Sequence, residues 1–300
     1  MNTRDNTADP ATEAFLAHRN LLFTVAYEML GSAADAEDVV QETWLRWAEV
    51  DVNQVSEHRA YLVRIATRQA LNRLRTVNRR RESYVGPWLP EPLLTTPDVA
   101  EDVELAESMS MALMLVLETL APTERAVFVL REVFDVGYDE IAAAVDKTPA
   151  AVRQIAHRAR RHVQARRPRH VVSRSQTRAA LASFQRAMET GDAQGLLDVL
   201  APQVVALTDG GGVKRAALRP ITGAEAVVSF LMFRASKVEA PLTMAPTELN
   251  GNPALLVYLG AELDGVITLR IEDAGITGVY YVRNPEKLTR VESVIPLTRQ

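Results

Sequence analysis

The chain has 300 residues, enough for two or three domains that each bury their own core. With 47% hydrophobic and 24% charged residues, its composition is that of an ordinary globular protein. The absence of cysteine excludes disulfides and thiolate metal sites, and no apolar run is long enough for a transmembrane helix. Because the N-terminus also lacks the apolar core of a secretory signal, we expect a cytoplasmic protein.

The net charge is only −4, but the charges are segregated along the chain. Residues 59–81 contain eight arginines, residues 147–174 contain nine lysines or arginines, and neither window contains an acidic residue. A solvated helix face normally mixes both signs, because opposite charges four residues apart stabilise a helix and like charges destabilise it. Two acid-free basic windows on an acidic chain therefore predict two faces that bind nucleic-acid phosphates.

Two amphipathic helices are predicted before residue 50, after a disordered N-terminus at residues 1–9. Apolar residues recur with a period near 3.6 up to Gly31, and Ser32 is positioned to cap the second helix. That helix has an apolar strip with Trp44 and Trp47. Its polar side carries Asp35, Asp38, Gln41 and Glu42. Taken alone, the acids at the start of this helix are explained most simply by capping and the helix dipole.

The first basic window predicts one long helix. Four polar residues fall on one flank of it, at i, i+4, i+8 and i+11: Arg64, Arg68, Asn72 and Arg75. A basic helix with an aromatic residue near its start suits binding along a nucleic-acid backbone with stacking on unpaired bases. Tyr61 is the aromatic residue here, and a partly buried core position is an equally good interpretation of it.

The second basic window predicts a helix-turn-helix. Residues 138–145 carry a helical apolar stripe, and a second stripe follows the interruption at residues 146–149. Thr148 is the expected N-cap of the second helix, with Pro149 in its first position. Such a helix can read bases in a major groove. Its candidate base-reading residues are Arg153, Gln154, His157, Arg158 and Arg161. A solvated helix in an ordinary helical hairpin is the alternative for this stretch alone.

Two further segments differ in composition from the predicted helical segments. Residues 82–105 are predicted to be a linker, because four prolines and a glycine exclude regular structure. Its sequence "WLPEP" at 88–92 contains apolar residues that are poor choices for a free tether, so we expect them to occupy a groove. Residues 175–295 combine helices with strands that alternate apolar and polar residues between glycines. They predict a curved sheet wrapped on helices, with an apolar mouth.

The two helical segments resemble the extracytoplasmic-function (ECF) sigma factors. "DAEDVVQETWLRW" (35–47) and "AYLVRIATRQALNRLR" (60–75) are similar to the second region of that family. "LAPTERAVFVLREVFDVGYDEIAAAVDKTPAAVRQIAHRARR" (120–161) is similar to the fourth region. The resemblance implies an all-α region 2 at 10–81 and an all-α region 4 with a helix-turn-helix at 106–168.

The resemblance also implies roles for the predicted faces. The acidic side of the second helix would dock on the clamp helices of the largest subunit of core RNA polymerase, with the flap as a further contact. The Tyr61 helix would open and read the minus-ten promoter element, and the helix after Thr148 would read the minus-thirty-five element. Some relatives have an asparagine for a flipped base where this chain has Arg68, so a different minus-ten preference is expected. Gln154 suits adenine, and Arg153 or Arg158 suits guanine.

The C-terminal segment resembles the SnoaL-like branch of the α+β NTF2-like fold. Sigma factors with this appendix form the ECF41-type subgroup, whose motifs are similar to "WLPEP" (88–92), "DGGGVK" (209–214) and "NPEKL" (284–288) here. The resemblance implies that the appended domain regulates the factor, so that no dedicated anti-sigma factor is expected. The predicted interdomain residues are Trp88, Leu89, Pro90, Asp209, Gly210, Gly211, Gly212, Lys214, Asn284 and Pro285.

Catalysis is not expected. Enzymes with the SnoaL-like fold use an aspartate or histidine in the cone, but all five histidines here precede residue 171. Asp209 heads an Asp-Gly pair, for which a hairpin turn is the expected use. We predict no cofactor and no metal, and leave open a small ligand in the cone. The alternative functions are a ligand-sensing helix-turn-helix regulator without sigma activity, and a SnoaL-type cyclase or isomerase.

Overall fold

The computed structural model describes residues 9–96, 99, 102–166, 172–237 and 239–299, with backbone only at 78–80. The disorder predicted for residues 1–9 lies almost wholly outside these residues. The chain forms two compact units. The first comprises Met1–Arg79, Glu118–Gln164 and Pro296–Gln300, and the second comprises Arg80–Leu117 and Ala165–Ile295. In the part of the chain described here, no helix is both long and apolar enough to cross a membrane.

The helices follow the predicted order. They are α1 (Pro10–Leu30), α2 (Ala33–Trp47), α3 (His58–Glu82), α4 (Val103–Ser108), α5 (Met111–Leu117), α6 (Pro122–Phe128), α7 (Tyr138–Val145), α8 (Pro149–Gln164), α9 (Arg174–Thr190), α10 (Ala193–Val199) and α11 (Ala224–Ser236). A π-helical segment, Val129–Val133, directly follows α6, and short 3-10 helices lie at Val52–Gln54 and Pro285–Lys287. Residues 83–93 have no regular secondary structure, as their prolines predict.

The predicted helix ends are confirmed in the first unit. Gly31 follows α1 with φ of 67°, a left-handed conformation that glycine adopts without a steric penalty. The Ser32 hydroxyl accepts a hydrogen bond from the backbone N–H of Asp35 at 3.3 Å. Thr148 caps α8 in the same way, because its Oγ1 accepts from the N–H of Ala151 at 3.2 Å. These caps satisfy backbone donors that the helices leave unpaired.

The core of the first unit is formed by the apolar stripes of its helices. Trp47 is fully buried, and its Nε1 donates to the carbonyl of Ala11 at 2.7 Å. On α8 the stripe buries Val152, Ala156, Ala159 and Val163, in agreement with the predicted helical period. The opposite side of α8 is therefore left for solvent or a partner.

The second unit is built on a six-stranded mixed sheet. Its strands are β1 (Leu200–Asp209), β2 (Ile221–Thr222), β3 (Leu242–Leu249), β4 (Asn252–Leu259), β5 (Glu262–Glu272) and β6 (Gly275–Val282). The order is β2-β1-β6-β5-β4-β3, and β1 pairs parallel with β6 while the other neighbours are antiparallel. The alternating strands that the sequence predicts between glycines near the C-terminus are confirmed as β4, β5 and β6. Strand β3 was not predicted, and its Pro246 is tolerated because this strand lies at the sheet edge.

Apolar clusters lie on both faces of this sheet. Adjacent residues such as Val266 and Ile267 belong to different clusters, because successive strand residues point to opposite faces. One cluster packs α9, α10 and α11 against the sheet. The other contains Leu89 of the linker and Met111 of α5. Both α4 and α5 thus belong to the second unit, although residues from 106 onward were assigned to region 4 from the sequence.

Candidate nucleic-acid interfaces and linker-docking site

The acidic side of α2 is largely exposed, but not all of its residues are free. Asp35 accepts a hydrogen bond from Nε of Arg73 at 2.6 Å, and Arg73 also pairs with Asp38. Asp35 therefore helps to hold α3 on α2 and has little exposed carboxylate left. Gln41 and Glu42 remain on the surface with Asp38.

Leu45 of α2 was not among the predicted contact residues, and its side chain is 62% exposed. It lies seven residues after Asp38 and three after Glu42, on the same side of the helix. An exposed leucine within a polar helix face is a signal for a protein partner, since a solvated face does not need it.

The predicted minus-ten residues share one helix but not one environment. Arg68, Asn72 and Arg75 are exposed on α3. Tyr61 is half-buried, with its ring centroid 5.7 Å from that of Trp47. The guanidinium of Arg64 lies 4.6 Å from the Tyr61 ring centroid. The Tyr61 ring therefore contacts both the buried Trp47 and the guanidinium of Arg64.

Within the first unit, the α1–α3 module contacts the α6–α8 module. Nη2 of Arg68 donates to the carbonyl of Ala143 in α7 at 2.8 Å. Arg125 of α6 is almost fully buried, pairs with Glu118, and donates from Nη2 to the carbonyl of Glu28 in α1 at 3.1 Å. A predicted DNA-binding arginine is thus engaged by the first helix of the helix-turn-helix.

The base-reading face predicted for α8 is exposed at every position. It comprises Arg153, Gln154, His157, Arg158 and Arg161. Arg160 has a different use, because its guanidinium bonds both carboxylate oxygens of Glu132, at 2.6 and 3.0 Å. Arg160 thus fastens α8 to the preceding helical segment, and Nε of Arg158 lies 3.7 Å from a carboxylate oxygen of Glu124 in α6.

Asp209 is the centre of the linker-docking site. It is fully buried at the end of β1 and accepts hydrogen bonds from the linker residues Tyr84 (hydroxyl, 2.6 Å) and Leu89 (backbone N–H, 2.9 Å). Nζ of Lys287 donates to the same carboxylate at 2.7 Å. We call Tyr84, Trp88, Leu89, Asp209 and Lys287 the linker latch.

Lys287 joins the other latch residues. Its Nζ donates to the Leu89 carbonyl at 2.5 Å and lies 4.2 Å from the Trp88 ring centroid and 5.1 Å from that of Tyr84. Burial lowers the pKa of Lys287 to about 8, against the opposing attraction of Asp209. The latch therefore holds its cation away from water and in contact with the linker.

The glycines of "DGGGVK" shape the turn beside the latch. Gly211 has φ of 63°, and a Cβ there would lie 2.4 Å from Cγ of Asn284. At Gly210 a Cβ would lie 2.0 Å from the carbonyl oxygen of Lys214. Asn284 in turn donates from Nδ2 to the Tyr84 hydroxyl at 2.9 Å. Side chains at these two glycines would displace the residues that support the latch.

Two expectations about this site are corrected. Asp209 does form a turn contact, because its carboxylate accepts from the N–H of Gly211 at 3.0 Å, but its main use is to hold the linker. Residues 210–220 separate β1 from β2, so the loop is longer than a tight hairpin. Lys214 lies outside the latch, with Nζ 3.3 Å from Oδ1 of Asp264. The latch cation is Lys287, the fourth residue of "NPEKL".

The other predicted interdomain residues are dispersed. Trp88 and Leu89 lie in the latch, Pro90 is buried next to it, and Gly212 and Pro285 are exposed. The hydroxyl of Tyr84 and the ammonium of Lys287 are the functional groups that sequence reasoning missed. Lys287 stood inside a quoted motif, but its burial depends on the folded positions of three distant segments.

A second docking point was not predicted. Asn250, between β3 and β4, accepts from the N–H of Leu93 through Oδ1 and donates its own N–H to the Leu93 carbonyl, both at 2.8 Å. Its Nδ2 also donates to the carbonyl of Met109 at 3.1 Å. The backbone N–H of Gly251 donates to Oγ1 of Thr95 at 3.0 Å. The linker is therefore bound to the C-terminal domain from residue 84 to residue 95.

Asp264 is a carboxylate at the mouth of the cone, and it is a weak base. Nε and Nη2 of Arg283 each donate to it at 2.7 Å, and the Tyr281 hydroxyl donates at 2.5 Å. Burial would raise the pKa of Asp264, but the hydrogen bonds from Arg283 and Tyr281 outweigh it and hold the pKa at about 2. A carboxylate this acidic and this fully bonded is a poor proton acceptor.

The structure thus has two helical modules, each with exposed basic residues on one helix, and a segment between them that is bound to an α+β domain. This arrangement is that of a multidomain nucleic-acid-binding protein. The Sigma-70 region 2 family matches residues 14–81, and the "Sigma-70, region 4" family matches residues 110–163.

Close relatives extend the likeness to the whole chain. The ECF RNA polymerase sigma factor SigJ of Mycobacterium tuberculosis is 33% identical over 290 residues, 92% of each chain. The probable factor SigI of the same organism is 32% identical over 283 residues, 93% of this chain and 95% of SigI. The crystal structure of Mycobacterium tuberculosis SigJ superposes with a TM-score of 0.73 at 30% identity, covering 93% of this chain and 98% of that one.

The protein therefore belongs to the ECF RNA polymerase sigma factors, and its chain carries an α+β C-terminal domain after regions 2 and 4. Such factors bind core RNA polymerase and promoter DNA and direct transcription initiation, and they are not enzymes. Family membership replaces both alternatives drawn from the sequence, the regulator without sigma activity and the cyclase or isomerase.

Proposed function

We propose that this sigma factor is held inactive in cis by its C-terminal domain, and that core RNA polymerase and promoter DNA favour a form in which its two promoter-binding modules separate. One observation carries the proposal. The segment that joins the modules is hydrogen-bonded to the C-terminal domain at Tyr84, Leu89, Leu93 and Thr95.

The length of the linker explains why its docking matters. The names of the two promoter elements place them about 25 base pairs apart, or ~85 Å at 3.4 Å per base pair. A free segment from residue 83 to residue 102 could extend to roughly 65 Å at about 3.3 Å per residue. Once residues 84–95 are bound, most of that reach is lost. Undocking would therefore be required before both modules lie on their elements.

Contacts between the two promoter-binding modules also support the proposal that these modules must separate. Arg68 of region 2 cannot bond the Ala143 carbonyl of region 4 while each module lies on a different promoter element. The buried Arg125, which bonds the Glu28 carbonyl, would likewise have to leave region 2. Polymerase can favour the separated form only through its difference in affinity for the two forms.

The final residues add a third restraint. Residues 296–300 belong to the compact unit that contains region 2, although the residues before them belong to the other unit. The backbone N–H of Thr298 donates to Oγ1 of Thr24 at 3.1 Å, and Leu297 is buried. Arg59 donates to the carbonyl of Arg299 at 3.4 Å. The C-terminal domain would thus be connected to region 2 through its tail as well as through the linker.

The proposed contacts with polymerase use the exposed side of α2. Asp38, Gln41 and Glu42 would face basic groups of the clamp helices, with Leu45 as an apolar contact among them. Asp35 would act indirectly, by holding Arg73 and thus α3 in position. Region 4 would reach the flap. We place the protein in the cytoplasm with its polymerase and expect no separate anti-sigma factor, because the C-terminal domain would supply that restraint.

The proposed contacts with DNA use two helices. On α3, Arg68, Asn72 and Arg75 would follow the minus-ten element, with Tyr61 and Arg64 at the edge of that face. The exposed side of α8 would read the minus-thirty-five element. There Gln154 would bond adenine and Arg153 or Arg158 guanine, while His157 and Arg161 would contact the same groove or its phosphates.

Run-off transcription with purified core polymerase tests this proposal. The full chain is compared with a chain trimmed after residue 170 and with Asp209→Asn, which weakens the latch. Asp198→Asn is the matched control, since Asp198 is an exposed carboxylate of α10 in the same domain that bonds Gln194 and no linker residue. We expect more transcript from the trimmed chain and from Asp209→Asn than from the full chain and the control. Less transcript from a trimmed chain that still binds polymerase would show that the domain activates.

A further inference from the structure

The cone of the C-terminal domain opens into a pocket with an apolar wall. Side chains of α9, α11 and the sheet line it, among them Met188, Phe230, Met244 and Ile267. The pocket has an empty volume of about 450 Å³, part of it open to solvent. None of the linker-latch residues lines it.

One side of the pocket is polar and carries Arg234, Asp264 and Tyr281. The Asp264 carboxylate is already bonded by Arg283 and by the Tyr281 hydroxyl. Arg234 is half-buried, and among the described residues its guanidinium has neither a hydrogen bond nor an ion pair. The pocket therefore presents one guanidinium that lacks an anionic partner.

Charged groups of both signs surround Arg234. Arg283 and Arg215 both disfavour its protonated form, while Asp264 and Tyr281 favour it. Burial is the larger effect and lowers the pKa of Arg234, with Arg283 lowering it further. A half-buried guanidinium that makes no hydrogen bond or ion pair with the described residues is costly unless an anion accompanies it. Such a position favours a negatively charged ligand.

We propose that this pocket binds a small amphipathic carboxylate, whose hydrocarbon part lies on the apolar wall and whose carboxylate pairs with Arg234. The planar guanidinium fits a carboxylate with two parallel hydrogen bonds. A single available guanidinium compensates one negative charge, so the ligand is a monoanion rather than a phosphate. This inference is independent of the proposed inhibition in cis, because it concerns binding alone.

The first test compares three probes of equal chain length on the full-length protein by isothermal titration calorimetry. Octanoate has the charge that the pocket requires, octan-1-ol has none, and octylammonium has the opposite one. We expect one saturable octanoate site per chain, with octanol at least about tenfold weaker because it lacks the charge-assisted bonds. Octylammonium should bind more weakly still. No saturable octanoate binding, or equal binding of octanoate and octanol, would overturn the proposal.

The second test locates the site with two variants and a matched control. Arg234→Gln should weaken octanoate binding at least about tenfold and leave octanol binding unchanged. Arg186→Gln replaces an exposed arginine on α9 that does not line the pocket and should change neither. Ala235→Trp should fill the pocket and abolish binding of both probes. Octanoate binding that survives Arg234→Gln unchanged, or that is lost equally in Arg186→Gln, contradicts the assignment. Circular dichroism and thermal unfolding confirm that each variant is folded, and the probe comparison on the parent chain needs no variant.

Discussion

Asp209 and Asp264 are two buried carboxylates of one domain with the same kinds of partner. Each accepts a hydrogen bond from a tyrosine hydroxyl and pairs with a basic side chain. The partners of Asp264 (Arg283 and Tyr281) come from β6 and the residue after it, close to its own strand in the sheet. Asp209 instead bonds Tyr84 and Leu89, more than a hundred residues away in the linker. The same chemistry stabilises a fold in one place and fastens a detachable segment in the other.

This difference has an energetic consequence. Breaking the pair between Asp264 and Arg283 leaves the buried guanidinium of Arg283 without its counter-charge inside the folded domain, so the fold itself is destabilised. A broken latch has another outcome, because the linker can leave and Lys287 can then be hydrated. Asparagine at position 264 should therefore mainly lower the stability of the domain, whereas asparagine at position 209 should mainly release the linker.

The largest effect is expected for Asp264→Asn on stability. Loss of the buried carboxylate leaves Arg283 without its counter-charge, which costs about 3–5 kcal/mol in the free energy of unfolding. Urea unfolding of the full chain, followed through the C-terminal unit, measures this loss. Asp209→Asn should lower the free energy of unfolding by clearly less in the same experiment. Equal losses would show that the latch is an inseparable part of the folded domain.

The next effect concerns release of the linker. Asp209→Asn removes charge-assisted bonds to Lys287 and Leu89, each worth about 1.5–3 kcal/mol, so residues 84–95 should become exposed at least about tenfold more often. Hydrogen exchange of the amides of Leu89 and Leu93 reports this opening directly. Asp264→Asn should leave their exchange unchanged relative to the rest of the unit. Unchanged exchange in Asp209→Asn would remove the basis for regulation through the latch.

A smaller effect separates two lysines. Lys287→Met keeps the length of the side chain but removes the bonds to Asp209 and the Leu89 carbonyl, and should increase transcription several-fold. Lys214→Met is the matched control, because Lys214 pairs with Glu262 and Asp264 instead of the latch. Run-off transcription from one promoter measures both. A larger increase with Lys214→Met would show that Lys214, and not Lys287, restrains the linker.

The smallest effect is a dependence on pH. The pKa of Lys287 is about 8 in the fold, below its ordinary 10.5, because burial penalises its charged form. That penalty is fully present below pH 8 and is relieved as the pH rises towards 10.5, since the unfolded chain binds more protons in this window. The parent chain should therefore gain stability relative to Lys287→Met between pH 8 and 10. Urea midpoints at both pH values, compared between the two proteins, measure the change. A relative loss would mean that the attraction of Asp209 outweighs burial.

The sequence was most informative where a local pattern carries the structure. The caps at Ser32 and Thr148, the αL glycine after α1 and the apolar stripe of α8 all depend on neighbours within a few residues. The exposed polar face of α8 follows from the same period. Edge strand β3 was missed because its proline argues against a strand unless its place in the sheet is known.

Sequence by itself therefore determined the two helical modules, the linker and the helices and main strands of the C-terminal domain, because spacing along the chain decides which face of an element is apolar. It could not determine that Lys287 replaces Lys214 in the latch, that Asn250 holds Leu93, or that Arg68 bonds the helix-turn-helix. Only the tertiary structure decided these contacts. Each joins residues between 75 and 157 positions apart, and no local rule states which distant groups share a buried site.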